Sequence, residues 1–321
     1  MSCKSNKIII GSLLGLVGIA ISCRLFRNYC SNITFKLIDE GYENLEKGDK
    51  KKKEELKIYP DSFSKSFSVA KKKKIFLIIS GFRDTPKMWN DFEEILKENN
   101  IDYIIPRMYG FGRTFYQYET EWKDWVISVM DCLSVIQNFY EEVNILGYST
   151  GAIIAMYISQ FKWKCQINNV ILCCPNLMGS KTVEKYKMLY KLPILNSLIL
   201  TFYPVCFRPY TTNLSFKDCK FFFEYYVPSN SAFQMWKFQD EELPDELYLN
   251  NIVIVKANND KIVEDGEIQR NMLEKTYNAK IDLKIIPSKE SDRGKMKVSH
   301  NMFTINNYIL NDIYGQIKEY L

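Results

Sequence analysis

A serine lies between two glycines in the sequence GYSTG, at residues 147–151. The pattern Gly-x-Ser-x-Gly is typical of a sharp turn between a β-strand and an α-helix, where the serine hydroxyl is exposed as a nucleophile. Residues 143–146, three of them apolar, predict the strand before this turn, and residues 151–158 predict the helix after it. Ser149 is therefore a candidate catalytic nucleophile, and the alternative is an ordinary turn flanked by glycines.

A serine hydroxyl needs a base within hydrogen-bond reach, and His300 is the one histidine in the chain. A carboxylate that accepts a hydrogen bond from Nδ1 would hold that imidazole in the required tautomer. Asp260 closely follows a strongly apolar run and lies between Ser149 and His300 in sequence, as the triad order requires. The pattern predicts a triad of Ser149, Asp260 and His300, with Glu264 and Asp265 as alternative acids.

The tetrahedral intermediate of acyl transfer carries an oxyanion that needs nearby hydrogen-bond donors. The backbone N–H groups of Thr150, next to the nucleophile, and of Phe82, after the apolar run 74–80, are the predicted pair for this oxyanion hole. The chain has one histidine and no CxxC pair, which argues against a His-rich or Cys-rich metal site. We therefore expect chemistry that needs no metal and no cofactor.

Predicted strands and helices alternate along most of the chain. Apolar runs predict strands at residues 74–80, 101–106, 143–146, 170–174, 252–256 and 283–286. Helical periodicity predicts helices at residues 86–98, 119–140, 151–158 and 303–321. This alternation indicates an α/β fold with a mostly parallel sheet and helices on both of its faces.

The alternation stops between residues 176 and 246, a segment rich in tyrosine and phenylalanine. We predict that this segment is a cap inserted over the strand ends, whose apolar walls could hold an acyl chain. The catalytic core is then formed by residues 74–175 and 247–321. Residues 31–73 are predicted to be a linker with weakly alternating stretches that favour edge strands.

Residues 1–30 differ from the rest of the chain and predict a single N-terminal membrane helix. The stretch 8–22 carries no charge, with two lysines before it and two arginines after it. Counted through Cys23, a helix here spans roughly 24 Å at about 1.5 Å per residue, short of a hydrocarbon core of roughly 30 Å. A cleaved secretory signal is the alternative, but arginines directly after a cleavage site would be unusual, which favours an uncleaved anchor.

The formal net charge of +5 arises from lysines and arginines spread among a similar number of acids. The lysine runs at residues 50–53 and 71–74 indicate solvated surface, and since no nucleic-acid motif accompanies them we expect no nucleic-acid partner. Nine cysteines without metal-ligand spacing indicate reduced thiols, which favours a cytosolic catalytic domain. Two sequons, at Asn32 and Asn213, favour a lumenal location instead.

Several motifs resemble those of the α/β-hydrolase superfamily, in the monoacylglycerol lipase and lysophospholipase-like branch of the serine aminopeptidase S33 type. The matching motifs are SGF at 80–82, PRMYGFGR at 106–113, LGYSTG at 146–151, ANNDKIV at 257–263 and SHNM at 299–302. The resemblance covers residues 70–321 and implies an α/β-hydrolase fold with an inserted cap. That family usually has a histidine where this chain has Ser80, an acid where it has Arg107, and Gly-His-Gly where it has Gly-Phe-Gly at 110–112.

Together the residues and the resemblance predict a membrane-tethered serine hydrolase. We expect it to cleave a carboxylic ester of a lipid-like substrate, such as a monoacylglycerol or a lysophospholipid, through an acyl-enzyme. A thioesterase or an amide hydrolase with the same triad is one alternative. A non-catalytic α/β-hydrolase that binds lipid or serves as a scaffold is another, because the oxyanion loop departs from the family pattern.

Overall fold

The computed structural model of the chain describes residues 25, 65–68, 73–111, 120–202, 205–207, 226–241, 243–258, 260, 262–277, 281–286, 303 and 307–321. The predicted N-terminal anchor, apart from Leu25, and the predicted base His300 lie outside the described residues. Across the described part of the chain, no helix is both long enough and apolar enough to cross a membrane.

A mostly parallel sheet runs through the centre of the described structure. The strands are β1 (Lys65–Phe67), β2 (Lys74–Ile79), β3 (Tyr103–Ile105), β4 (Glu142–Tyr148), β5 (Gln166–Cys173), β6 (Val205–Phe207), β7 (Tyr226–Pro228), β8 (Asn251–Ala257) and β9 (Asp282–Ile286). Seven of them form one sheet in the order β1-β3-β2-β4-β5-β8-β9, in which β1 alone is antiparallel to its neighbour. The strands β6 and β7 form a separate antiparallel pair.

Helices cover both faces of the seven-stranded sheet. They are α1 (Asn90–Glu98), α2 (Trp122–Ile136), α3 (Thr150–Ile158), α4 (Lys181–Tyr190), α5 (Pro193–Phe202), α6 (Ser229–Asp240), α7 (Gly266–Tyr277) and α8 (Asn307–Ile317). Residues of α1 and α8 pack in the apolar core on one face, and residues of α2, α3, α6 and α7 pack in the core on the other. The α/β architecture predicted from the alternation of strands and helices is therefore confirmed.

The carboxyl ends of the central strands lie side by side. In the parallel register Ile79 at the end of β2 pairs with Gly147 of β4, and Tyr148 at the end of β4 pairs with Cys173 of β5. Since β8 follows β5 in the sheet, the loops after all four strands meet at one edge. Ligand and catalytic sites of open α/β sheets form at this edge.

The segment between β5 and β8 contains α4, α5 and α6 together with the β6–β7 pair. One of its helices is fixed to the core, because the ring of Phe238 in α6 stacks on that of Trp122 in α2 with 4.5 Å between centroids. The break in alternation that the sequence predicts therefore corresponds to a segment whose described residues are mainly helical.

Several predicted elements have boundaries that differ from the structure, among them the strand predicted at 170–174, which is Gln166–Cys173. The helix predicted at 86–98 begins as a single 3-10 turn, Pro86–Trp89, before α1 continues it. The long helix predicted at 119–140 covers only Trp122–Ile136. Its start is set by a capping box, in which Glu121 and Asp124 each accept a hydrogen bond from the other's backbone N–H.

Candidate active site

Ser149 lies in a tight turn between the end of β4 and the start of α3, where the Gly-x-Ser-x-Gly pattern predicts it. Its backbone has φ 54° and ψ −115°, a conformation that a non-glycine residue rarely adopts and that costs about 1–3 kcal/mol. A Cβ at Gly147 would lie 2.5 Å from the carbonyl oxygen of Gly151, and a Cβ at Gly151 would lie 2.6 Å from that of Ser80. The two glycines are therefore required for the turn that presents Ser149.

Main-chain hydrogen bonds hold the strained backbone of Ser149 in place. Its N–H donates to the carbonyl oxygen of Cys173, the last residue of β5, at 2.9 Å. Its carbonyl oxygen accepts hydrogen bonds from the N–H groups of Ala152 and Asn176, each at 3.1 Å. Asn176 belongs to residues 174–180, which follow β5 and which we call the brace loop. No sequence motif marks this loop, so its role is visible only in the folded chain.

Phe82 and Thr150, the predicted oxyanion-hole residues, lie on segments that approach each other closely. The start of α3 packs against the end of β2, because Gly151 has no side chain to separate it from the carbonyl oxygens of Ile79 and Ser80. Among the described residues, neither Phe82 nor Thr150 donates a main-chain hydrogen bond from its N–H. Thr150 is also the first residue of α3, where the helix dipole favours negative charge. The arrangement is compatible with the predicted oxyanion hole.

The loop after β2, residues 80–85, is fixed largely by side chains, and we call it the β2 loop. Trp89 donates a hydrogen bond from Nε1 to the Ser80 hydroxyl at 2.9 Å, and both side chains are buried. The carboxylate of Asp84 packs against Gly81, where a Cβ would lie 2.6 Å from Oδ2. A tryptophan–serine hydrogen bond thus occupies the place of the histidine that the S33-type motif usually contains.

The Gly-Phe-Gly segment at 110–112 is another departure from that motif, and it places a buried phenylalanine where the family usually has a histidine. Phe111, in the Gly-Phe-Gly segment, lies with its ring centroid 6.3 Å from that of Phe82 and 5.4 Å from that of Trp125. Arg107 donates a hydrogen bond from Nε to the carbonyl oxygen of Phe111 at 3.1 Å. The aromatic packing and this hydrogen bond together support the loop opposite Phe82.

Asp260 lies shortly after β8, at the same edge of the sheet as Ser149. Its Oδ1 accepts hydrogen bonds from the N–H groups of Ile262 at 2.9 Å and Val263 at 3.4 Å. The Cys174 thiol contacts the same carboxylate. Burial, followed by the negative charge of Asp260, raises the pKa of that thiol well above its ordinary value. The thiol therefore stays protonated and donates a hydrogen bond to Asp260.

The two alternative acids, Glu264 and Asp265, accept main-chain hydrogen bonds at or just before the start of α7. Glu264 accepts a hydrogen bond at Oε1 from the N–H of Asp265 at 2.9 Å. The exposed Asp265 accepts one at Oδ1 from the N–H of Glu267 at 2.8 Å, in the first turn of α7. All three acids accept main-chain hydrogen bonds from residues that follow them, and the choice of Asp260 as the acid of the site stays a prediction.

Phe303, three residues after His300 in sequence, packs beside the nucleophile turn. Its ring centroid lies 4.3 Å from that of Trp89 and 5.3 Å from that of Tyr148, the residue before Ser149. Since His300 itself lies outside the described residues, the meeting of all three triad side chains stays a prediction.

The described thiols are poor nucleophiles at neutral pH. Cys132, Cys165, Cys173 and Cys174 are all free. Burial raises the pKa of Cys132 to about 11 and also raises the pKa values of Cys165 and Cys173. Within the described ranges, no three His, Cys, Asp or Glu side chains form a group that could hold a metal ion.

A mostly parallel sheet with helices on both faces, a Gly-x-Ser-x-Gly turn at one strand end and an acid after a later strand define an α/β-hydrolase. The chain belongs to the family described as serine aminopeptidase, S33, whose model matches residues 70–286. A comparison with curated proteins found no match.

Solved structures with the same fold are distant in sequence. A structure from work on LipS and LipT, two metagenome-derived lipolytic enzymes, has a TM-score of 0.58 at 11% identity and covers 81% of this chain and 98% of its own. A soluble variant of monoglyceride lipase from Saccharomyces cerevisiae, in complex with a substrate analog, has a TM-score of 0.56 at 14% identity, with 80% and 90% covered. A lipase-esterase related protein from Clostridium acetobutylicum has a TM-score of 0.54 at 14% identity, with 80% and 98% covered. At these identities the likeness shows the α/β-hydrolase fold alone.

Proposed function

We propose that the chain is a serine hydrolase that cleaves a carboxylic ester of a lipid-like substrate, such as a monoacylglycerol or a lysophospholipid, through an acyl-enzyme. The observation that carries this proposal is the strained and braced position of Ser149 at the N-terminus of α3. A nucleophile on such a turn can reach a bound ester carbonyl while the helix N-terminus faces the developing negative charge.

In the proposed reaction, Ser149 Oγ attacks the ester carbonyl carbon while its proton passes to Nε2 of His300. The N–H groups of Phe82 and Thr150 stabilise the oxyanion of the tetrahedral intermediate. The bond to the alcohol oxygen then breaks, and the imidazolium gives its proton to that oxygen, which leaves an acyl-enzyme. Water deprotonated by His300 hydrolyses the acyl-enzyme and releases the acid.

Phe303 and Asp260 support the assignment of His300 as the base. Phe303 packs against Tyr148, and three residues of chain can span roughly 11 Å, so the chain length is compatible with the proposed approach of His300 to Ser149. Asp260 is proposed to accept a hydrogen bond from Nδ1 of His300, which would fix the tautomer and stabilise the imidazolium. Its Oδ1 already accepts main-chain hydrogen bonds, so the carboxylate is held by its own loop.

We propose that the segment between β5 and β8 is a cap that contributes to lipid binding. Exposed apolar side chains are grouped on α4, α5 and their connection: Met188, Leu192, Ile194 and Leu198. A group of exposed apolar side chains marks contact with an apolar partner. The printed name of the yeast monoglyceride lipase, which shares this fold, refers to a glyceride ester and agrees with this substrate class.

Residues 1–30 are proposed to anchor the chain in a membrane, with the catalytic domain in the cytosol. The support is the uncharged stretch 8–22 with its basic flanks, and the free thiols among the described cysteines, which suit a reducing compartment. Alkaline extraction of membranes should leave the full chain in the pellet and release a chain that starts at residue 31. Release of both the full chain and the shortened chain would contradict the proposal that residues 1–30 anchor the protein in a membrane.

A substrate panel tests the proposed reaction against the two other enzymatic readings. We expect turnover of p-nitrophenyl esters, a monoacylglycerol and a lysophospholipid, with at least about 10⁴-fold loss in Ser149→Ala. An amide arm is included because the family is described as a serine aminopeptidase. Faster cleavage of an aminoacyl amide or an acyl-CoA than of every ester would overturn the ester assignment. Tight lipid binding without turnover of any substrate would favour a non-catalytic role.

A further inference from the structure

The brace loop, residues 174–180, connects the nucleophile to the loop of the proposed acid. At one end the N–H of Asn176 donates to the carbonyl oxygen of Ser149 at 3.1 Å. At the other end Gly179 forms an isolated β-bridge with Val263, in the loop that carries Asp260. The backbone of one short loop therefore fixes the relative position of two proposed catalytic residues.

Gln239 of α6 forms side-chain hydrogen bonds to this loop at Asn176, the residue that donates to Ser149. Its Nε2 donates to both oxygens of Asn176, at 3.1 Å to the main-chain carbonyl and at 3.2 Å to the side-chain Oδ1. Asn176 is 4% exposed, so these hydrogen bonds lie in a region largely shielded from water. The amide of Gln239 can thus determine where the N–H of Asn176 meets Ser149.

The neighbours of Gln239 on α6 hold that helix from two sides. Phe238, 1% exposed, stacks on Trp122 of α2 at 4.5 Å. Asp240 forms ion pairs with two lysines of the α4 region, Lys187 at 2.6 Å and Lys191 at 3.0 Å. Gln239 therefore lies between two residues with firm contacts. Phe238 binds α6 to α2, and Asp240 binds α6 to the α4 region.

A second contact ties α4 to the same loop. Glu184 accepts a hydrogen bond at Oε1 from the N–H of Gly179 at 3.2 Å, and the N–H of Glu264 donates to the carbonyl oxygen of Met178 at 2.9 Å. Both α4 and α6 therefore touch the loop that braces Ser149. Gln239 bonds Asn176, the residue of this loop that itself donates to Ser149, whereas Glu184 bonds Gly179, three residues further along the loop.

We propose that Gln239 is a positioning residue for catalysis, which fixes the backbone of Ser149 through Asn176 and so couples the segment between β5 and β8 to the nucleophile. This inference rests on the proposed function as a serine hydrolase. Without the Gln239 amide, the carbonyl of Ser149 loses a fixed donor and the strained turn is less well held. The hydroxyl then spends less time in the geometry of attack, while the surfaces that bind substrate are unchanged.

The test compares two variants with a control on the same helix. Gln239→Ala removes the amide, and Gln239→Glu keeps its shape but places an acceptor against the oxygens of Asn176. Active sites in the full-length protein are counted with a fluorescent fluorophosphonate, and kcat and KM are measured with p-nitrophenyl butyrate. We expect about a 5- to 10-fold lower kcat per titrated site in both variants, with KM within about 2-fold of the parent value. The exposed Lys237→Ala should leave both constants unchanged.

The count of active sites separates positioning from folding. A variant that merely folds less well loses titrated sites and keeps the parent kcat per site, and that result in both Gln239 variants would overturn the proposal. A change confined to KM would also overturn it. If the parent protein itself takes up no fluorophosphonate while folded, the proposed function fails and the inference fails with it.

Discussion

The nucleophile turn at residues 147–151 and the β2 loop at residues 80–85 face each other at the sheet edge, yet they are stabilised in different ways. Each contains a non-glycine residue with positive φ, 54° at Ser149 and 66° at Arg83. In the nucleophile turn the constraint is the close approach of one main chain to another. In the β2 loop the constraint comes from side chains that pack and form hydrogen bonds.

This difference explains why one region keeps the family pattern and the other departs from it. Nothing but glycine fits at Gly147 and Gly151, because a Cβ would meet main-chain atoms that cannot move aside. A side-chain hydrogen bond can be replaced by another of similar geometry, as Trp89 and Ser80 show. A turn that is constrained by main-chain contacts therefore requires particular residues, which can be recognised in the sequence. A loop that is held by side-chain contacts can be built from different residues, so its sequence can vary.

Among the changes that test this difference between the two regions, Gly151→Ala is expected to have the largest effect. The added methyl group would push the start of α3 away from the carbonyl oxygen of Ser80, so the N–H groups of Phe82 and Thr150 would separate. We expect at least about a 100-fold fall in kcat/KM for a p-nitrophenyl ester, since displacement of catalytic groups by about 1 Å has such an effect. Overpacking should also lower the free energy of unfolding by about 1–3 kcal/mol.

Gly315→Ala is the matched control. Gly315 lies in α8, and a Cβ there meets nothing within 4 Å. Alanine should raise the free energy of unfolding by about 0.5–1 kcal/mol and leave turnover unchanged. Equal activity in the two variants would show that the close approach of α3 to β2 is not needed for the reaction.

A smaller effect is expected from Trp89→Phe, which removes the donor to Ser80 and keeps most of the ring. Loss of one buried hydrogen bond should lower kcat about 3- to 10-fold, because the β2 loop that carries the Phe82 N–H is less well held. Trp163→Phe is the matched control, since it removes a tryptophan hydrogen bond outside the β2 loop, from Nε1 to the carbonyl oxygen of Ile158 at 3.0 Å. Steady-state kinetics of both variants would decide, and equal losses of kcat would contradict a specific role for the Trp89–Ser80 hydrogen bond.

Much of the fold could be predicted from the sequence because its signals are local. The run KIFLII predicts a strand buried on both faces, and β2 is buried along nearly its whole length. The glycines around Ser149 and the position of Asp260 after β8 are likewise local features that place both residues at the sheet edge. The predicted helix boundaries differ more from the structure, because helix ends fray and often close in a 3-10 turn, as at Pro86–Trp89.

The brace loop could not be predicted, because its partners are distant in the chain. Gln239 and Asn176 are 63 residues apart, and neither belongs to a motif. The same holds for Phe303, whose place beside Trp89 and Tyr148 depends on packing that brings separate segments together. Sequence patterns predict strands, helices and the glycines that a tight turn requires. Contacts between residues far apart in the chain form only when the core is assembled.

The most direct test of Ser149 as the nucleophile is covalent labelling of the folded, full-length protein with a fluorophosphonate, followed by mass spectrometry of its peptides. We expect one adduct, on Ser149, with release of the fluoride leaving group and no adduct in Ser149→Ala. A folded protein that takes up no label, or a Ser149→Ala variant that is labelled as fast as the parent, would contradict this assignment.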